Sequence, residues 1–176
     1  NYPHIRIEMG GGFPTTELRQ LSDPRVFDFF HYITLDDGEI PLLRLLEGKE
    51  NDWVRTFWCK DGKVVYCDSR EPDIPMRERG VPDYEGLPLD KYLSVIEMIN
   101  PMHALWSNGR WNKLTLAHGC YWGKCAFCDG SLDYIGRYEP LSASEIVDRM
   151  EVLLRKTGER GFHFVDEAAP PVLLKE

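Results

Sequence analysis

Ile5, Ile7 and Met9 alternate with Arg6 and Glu8, the two-residue period of a half-buried strand, and that strand runs into Gly10-Gly11-Gly12. A short helix is expected over Thr16 to Leu21. A second strand is expected over about His31 to Leu35, stopping at Asp36-Asp37-Gly38. Pro41 then suits a first helical turn, Leu42, Leu43, Leu45 and Leu46 supply an apolar stripe, and Gly48 suits the stop. The opening therefore reads as β–α–β–α. Thr56 to Cys59 and Lys63 to Cys67 flank Asp61-Gly62, a hairpin signal. Pro72, Pro75, Pro82 and Pro88 punctuate the next stretch, which should be extended and lie over another surface, and Tyr92 to Ile99 should form a brief helix.

The last third returns to a β–loop–α–β pattern. Leu114 and Leu116 begin a strand that empties into Gly119 and a cysteine-bearing loop. Ser142 with Glu145 forms a capping box, and Ile146, Met150, Leu153 and Leu154 should be the buried face of a helix ending near Gly158. Phe162 to Val165 reads as another strand, with Asp166-Glu167 at its carboxyl end. A strand–helix–strand of this length should be a right-handed parallel crossover. That topology puts the cysteine loop and Asp166-Glu167 on one edge, where α/β folds place their ligands.

Composition narrows the classes. The 176 residues are 43% hydrophobic, enough for one ordinary domain or two small ones, and contain no repeat or low-complexity tract. A net charge of −8 argues against nucleic acid as a partner, because phosphate binding needs a basic face. No apolar run approaches a membrane span and no signal-peptide layout is present, so a cytoplasmic protein with a solvated acidic surface is expected. Five cysteines is an odd number, and three of them fall within nine residues. In a reducing compartment such crowding points to metal or redox chemistry rather than a disulfide framework.

The cluster reads Cys120-Tyr121-Trp122-Gly123-Lys124-Cys125-Ala126-Phe127-Cys128. Thiolates are soft ligands that select iron–sulfur clusters, zinc or copper(I). Three sulfurs from one loop can hold three corners of a 4Fe–4S cube and leave the fourth iron open for a ligand. Gly119 and Gly123 allow the tight turns this needs. A structural zinc would require a fourth ligand, from His118, Cys59, Cys67 or Asp129.

On these residues the chain resembles the radical S-adenosylmethionine superfamily. The Cys125–Cys128 spacing and Phe127 match the family motif, while the Cys120–Cys125 gap holds four residues where three are usual. The resemblance implies a partial βα barrel that begins here and reductive cleavage of S-adenosylmethionine at a 4Fe–4S cluster bound by Cys120, Cys125 and Cys128. It also implies an external reductant such as flavodoxin or ferredoxin. Asp166 or Glu167 would take the methionine amino group, although Phe164-Val165 stands where the family has a glycine pair, and Phe127 would lie near the adenine.

The front of the chain looks like the carboxyl-terminal half of a cobalamin-binding domain, a module that often precedes such cores. Gly11 and Gly12 would approach the nucleotide tail of cobalamin, and Asp36-Asp37-Gly38-Glu39 stands where a Gly-Glu-Gly-Glu sequence is common. The family's Asp-x-His-x-x-Gly and Ser-x-Leu motifs are absent from these 176 residues. The expected layout is α/β: a partial doubly wound, cobalamin-binding-like layer over residues 1–50, a hairpin and proline-rich linker over 51–110, and the first β-α-β of a radical S-adenosylmethionine partial barrel over 111–176. The chain then reads as an internal piece of a longer enzyme, itself not competent for turnover, with substrate and catalytic side chains unidentified. The competing readings are a zinc-stabilised binding module and a cobalamin-binding carrier without catalysis.

Other side chains invite a role. His118 could be a ligand or a proton donor, though a polar strand end suffices to explain it. Cys59 and Cys67 should face each other across the hairpin. Trp106, Trp111 and Trp122 could roof the cofactor or simply pack between linker and core. Lys124 could offset cluster charge, and His163 could point into a barrel interior or face the helix layer.

Overall fold

The computed structural model describes residues 2, 4–91, 111–166, 168–173 and 175. The expected Tyr92 to Ile99 helix, Trp106 and Glu167 lie outside those residues. The chain divides into two units, Asn1–Ile74 and Pro75–Glu176, both mixed α/β.

The first unit is built on four strands, β1 (Glu8–Met9), β2 (Tyr32–Thr34), β3 (Thr56–Lys60) and β4 (Lys63–Cys67), hydrogen-bonded in that order. β1 and β2 run parallel, while β2–β3 and β3–β4 are antiparallel. The hairpin thus joins the sheet of the first unit and covers one edge of β2. Its turn has φ of 51° at Asp61 and 73° at Gly62, the left-handed pair that matches strand twist. Cys59 is opposite Val64 and Cys67 is opposite Thr56, so these two thiols do not face each other across the hairpin as expected. The full five-residue register places them three positions apart. Burial pushes the Cys67 thiol above its ordinary range, with Asp68 adding to the effect.

The first strand is shorter than its alternation suggested. Ile5 and Ile7 are exposed, and the ladder to β2 spans only Glu8 and Met9. Helix α1 (Gly12–Glu17) starts four residues earlier than the Thr16 to Leu21 expectation. Gly11, at φ 94°, turns the chain directly out of the strand, and Pro14 and Thr15 are buried inside the helix. Helix α2 (Glu39–Glu47) ends at left-handed Gly48 as expected. Its leucine stripe is not a core face: Leu42, Leu43 and Leu46 are exposed, and Pro41 is its only buried residue. The core of this unit is Ile33, Leu35 and Phe57, packed by Met9, Leu18, Leu21 and Val64. Asp36 and Asp37 close the end of β2. Arg55 donates to the carbonyls of Leu35 (3.2 Å) and Asp37 (3.1 Å) and pairs with Asp73, while Arg19 pairs with Asp36.

The second unit contains β5 (Trp111–Leu114), β6 (Ala117–His118), α3 (Asp133–Gly136), β7 (Glu139–Pro140), α4 (Ala143–Thr157) and β8 (Gly161–Phe164). β5 and β8 pair in parallel, Trp111 with Gly161 through Leu114 with Phe164, so the strand–helix–strand is a parallel crossover. α4 opens with the full capping box, Ser142 and Glu145 bonding reciprocally, and closes at left-handed Gly158. Ile146 and Leu153 are buried and Met150 packs beside them, but Leu154 is 39% exposed, one position off the i, i+4, i+7 row. Leu114, Leu116 and Leu141 complete that core together with Met76 from the proline-punctuated stretch. That stretch lies along α4: Arg149 donates to the carbonyls of Met76 (2.8 Å) and Arg79 (2.7 Å), and Lys156 pairs with Asp83.

Candidate functional site

The cysteine loop leaves the carboxyl end of β5 through a neck that the hydropathy pattern did not reveal. Two residues after β5 the chain turns into β6, which pairs antiparallel with β7: Ala117 opposite Pro140 and His118 opposite Glu139. Residues 119–138 are the loop that this short ladder closes. Gly119 sits at φ 73°, and a Cβ there would stand 1.9 Å from the Arg137 carbonyl oxygen, so only glycine lets the two sides approach this closely. Further along, a Cβ on Gly136 would stand 2.7 Å from the carbonyl oxygen of Gly130. The far half of the loop is therefore folded tightly on itself.

His118 belongs to the neck. It is 8% exposed, its Nδ1 is 3.4 Å from the Arg137 carbonyl oxygen, its Nε2 is 3.3 Å from the Arg137 guanidinium, and Tyr134 stacks edge-on against its ring. Arg137 also reaches Glu139 at 3.4 Å, and the other Glu139 oxygen accepts from the Met76 amide. The residue that could have been a ligand or proton donor is thus built into the closure of the loop.

The loop carries three thiols with no disulfide: Cys120, next to Gly119, is half-buried, while Cys125 and Cys128 are exposed. The Cys128 amide donates to the Cys125 carbonyl at 3.2 Å, which makes the last two cysteines the ends of one turn. Gly123 adopts φ 57° between the first two. Phe127 is 92% exposed, and Tyr121 and Trp122 are exposed as well, with the Lys124 ammonium 5.5 Å from the Trp122 ring. Among the described residues no three His, Cys, Asp or Glu side chains are already gathered around a metal position. The donor set nevertheless fits an iron–sulfur cluster in chemistry: three soft thiols on one accessible loop, with small residues at its turns.

Asp166 lies at the carboxyl end of β8, and Val165 continues the ladder by donating to the Leu114 carbonyl at 3.0 Å. The Asp166 carboxylate accepts from the amides of Leu116 (2.9 and 3.0 Å) and Ala117 (2.9 Å). The topology thus brings the acidic strand end and the root of the cysteine loop together, as the crossover required. Tyr138 joins them. Partial burial raises its phenol above the ordinary range, and the Asp166 carboxylate adds to the shift. Sequence reasoning missed Tyr138 and Arg137, since nothing in their spacing marks them. Trp111 and His163 are elsewhere: they stack on each other at 5.8 Å along the β5–β8 pair, Trp111 at the end of β5 away from the loop. His163 also meets Lys113 at 2.7 Å.

In the first unit, the glycine turn divides by role. A Cβ on Gly10 would come within 3.0 Å of Thr34 Oγ1, Gly11 needs its positive φ, and Gly12 has open space around it. No described helix is long and apolar enough to cross a membrane.

No protein-family model matches the chain, and no curated protein matches it in sequence. Solved structures do match in fold. The cobalamin-dependent S-adenosylmethionine radical enzyme OxsB with aqua-cobalamin and S-adenosylmethionine bound aligns with 94% of this chain at a TM-score of 0.59 and 15% identity. OxsB with aqua-cobalamin alone aligns equally well at 16% identity, and its apo, selenomethionine-labelled form gives 0.57 at 19% identity over 92% of the chain. At these identities the likeness is one of fold. The aligned region spans about 22% of the length of the OxsB chains.

Proposed function

We propose that the chain forms part of a cobalamin-linked radical S-adenosylmethionine enzyme, in which Cys120, Cys125 and Cys128 hold a 4Fe–4S cluster. The observation that carries this reading is the placement of three thiols on a loop rooted beside the acidic end of a parallel β-α-β unit. The fold likeness over both units supports it, because one solved enzyme carries cobalamin and S-adenosylmethionine on such a fold. When bound, the cluster would supply the electron for reductive cleavage of S-adenosylmethionine.

This chain's residues would bind, orient and shield. Cys120, Cys125 and Cys128 would hold the cluster, and three protein thiolates would leave a position for the amino acid moiety of the cofactor. Glu167 is assigned its amino group, since the Asp166 carboxylate already accepts three backbone hydrogen bonds. Phe127 is free to cover an adenine face and exclude water. Gly11 and Gly12 would let the backbone approach the cobalamin tail, a role compatible with the open space at Gly12. The setting proposed is the cytoplasm, with a flavodoxin or ferredoxin as the electron source.

Anaerobic reconstitution with iron and sulfide tests the centre. About four irons per chain are expected, and Cys125→Ala should abolish the visible absorbance of the centre. Stoichiometric zinc that resists exchange, with no iron uptake, would refute the reading in favour of a structural site.

A further inference from the structure

The geometry assigns to Asp166 a positioning role: its carboxylate clasps the root of the cysteine loop and thereby sets where Cys120 stands. The chain leaves the β5–β8 ladder after Leu114 and enters the β6–β7 ladder at Ala117. Between the two ladders, the amides of Leu116 and Ala117 donate to a side chain rather than to a strand partner. Leu116 is 1% exposed and Ala117 4%, so neither amide can rely on water. Asp166 supplies the acceptors, with both oxygens on Leu116 and one also on Ala117, all at 2.9–3.0 Å. Bonds from backbone N–H groups to a carboxylate are the stronger kind. On the other side, the Leu116 carbonyl accepts from the Leu141 amide at 2.9 Å. The root is therefore held from both sides, by one side chain and by the start of the strand-to-helix connection. Cys120 follows Ala117 by three residues, with buried His118 and left-handed Gly119 between, so it inherits this placement.

The consequence for ligand binding rests on the cluster reading, but the clasp itself does not. The test compares wild type, Asp166→Asn and Asp166→Ala as complete, reduced, metal-free chains, with circular dichroism confirming that the fold persists. Two readouts apply: amide exchange at Leu116 and Ala117, and the alkylation rate of each thiol followed by mass spectrometry. In Asp166→Ala, exchange at the two amides should rise about 100-fold, with a smaller rise for asparagine, which keeps one acceptor. Alkylation of Cys120 should accelerate several-fold towards the rates of Cys125 and Cys128, whose own rates stay constant. Unchanged exchange in both variants overturns the clasp, and faster exchange with unchanged Cys120 alkylation overturns the positioning role. Reconstitution of the same proteins separates the two proposals. Failure of wild type to take up iron defeats the cluster reading alone, whereas a positioning residue alters the electron paramagnetic resonance line shape of the reduced centre in Asp166→Asn.

Discussion

Replacing Gly119 with alanine is the sharpest perturbation of the neck. The backbone at φ 73° disfavours any side chain, at about 1–2 kcal/mol. The added Cβ would start 1.9 Å from the Arg137 carbonyl oxygen, a contact with backbone on both sides, so no rotamer change relieves it. Moving the strands apart to at least 3.0 Å breaks the β6–β7 pairing and disturbs the Leu141 amide bond to Leu116. Overpacking of this kind costs about 1–3 kcal/mol. Together these terms give about 2–5 kcal/mol, or roughly a 30-fold or greater rise in neck opening. The assay is hydrogen exchange at the Leu141 amide, with thermal unfolding as the measure of the whole unit. Gly123→Ala is the control: at φ 57° it meets nothing closer than the Cys120 carbonyl oxygen at 4.0 Å, so only the conformational cost remains. Equal exchange rates in Gly119→Ala and wild type, or equal effects of the two substitutions, would refute a neck closed by backbone contact.

Two further outcomes are expected. Leu153→Ala removes a fully buried side chain at the centre of the second core and should destabilise that unit by about 2–5 kcal/mol, read from urea unfolding; a loss below 1 kcal/mol would contradict the packing described. Glu145 is held below the ordinary carboxyl range by bonds from the Ser142 amide and hydroxyl, so the unfolded chain takes up this proton more readily. Its contribution is complete above the ordinary glutamate value of about 4.3 and is lost as pH falls through the lower folded value, so the stability gap between wild type and Glu145→Gln should shrink on acidification. A gap independent of pH would show that the charge on the capping box is idle.

Local chemistry was legible along the chain. The capping box of Ser142 and Glu145, the left-handed stops at Gly48 and Gly158, and the Asp61-Gly62 turn all depend on atoms within about four residues, and each stands where its pattern put it. The three cysteines stand out by residue type and spacing alone, and that spacing is what motivates the proposed cluster. Apolar patterning was less decisive. It marked Leu153 and Leu42 alike, yet Leu153 is fully buried beside strands and Met76, whereas Leu42 is 46% exposed. Burial is a property of the partner surface, and a stripe does not name its partner. The same holds at the loop. Arg137 meeting Gly119, Glu139 meeting Met76, and Asp166 meeting the amides of Leu116 and Ala117 join residues 18 to 63 positions apart. No periodicity spans such intervals. Strand pairing selects these contacts by leaving particular backbone groups without a ladder partner, and a buried amide then takes whichever acceptor the fold brings to it.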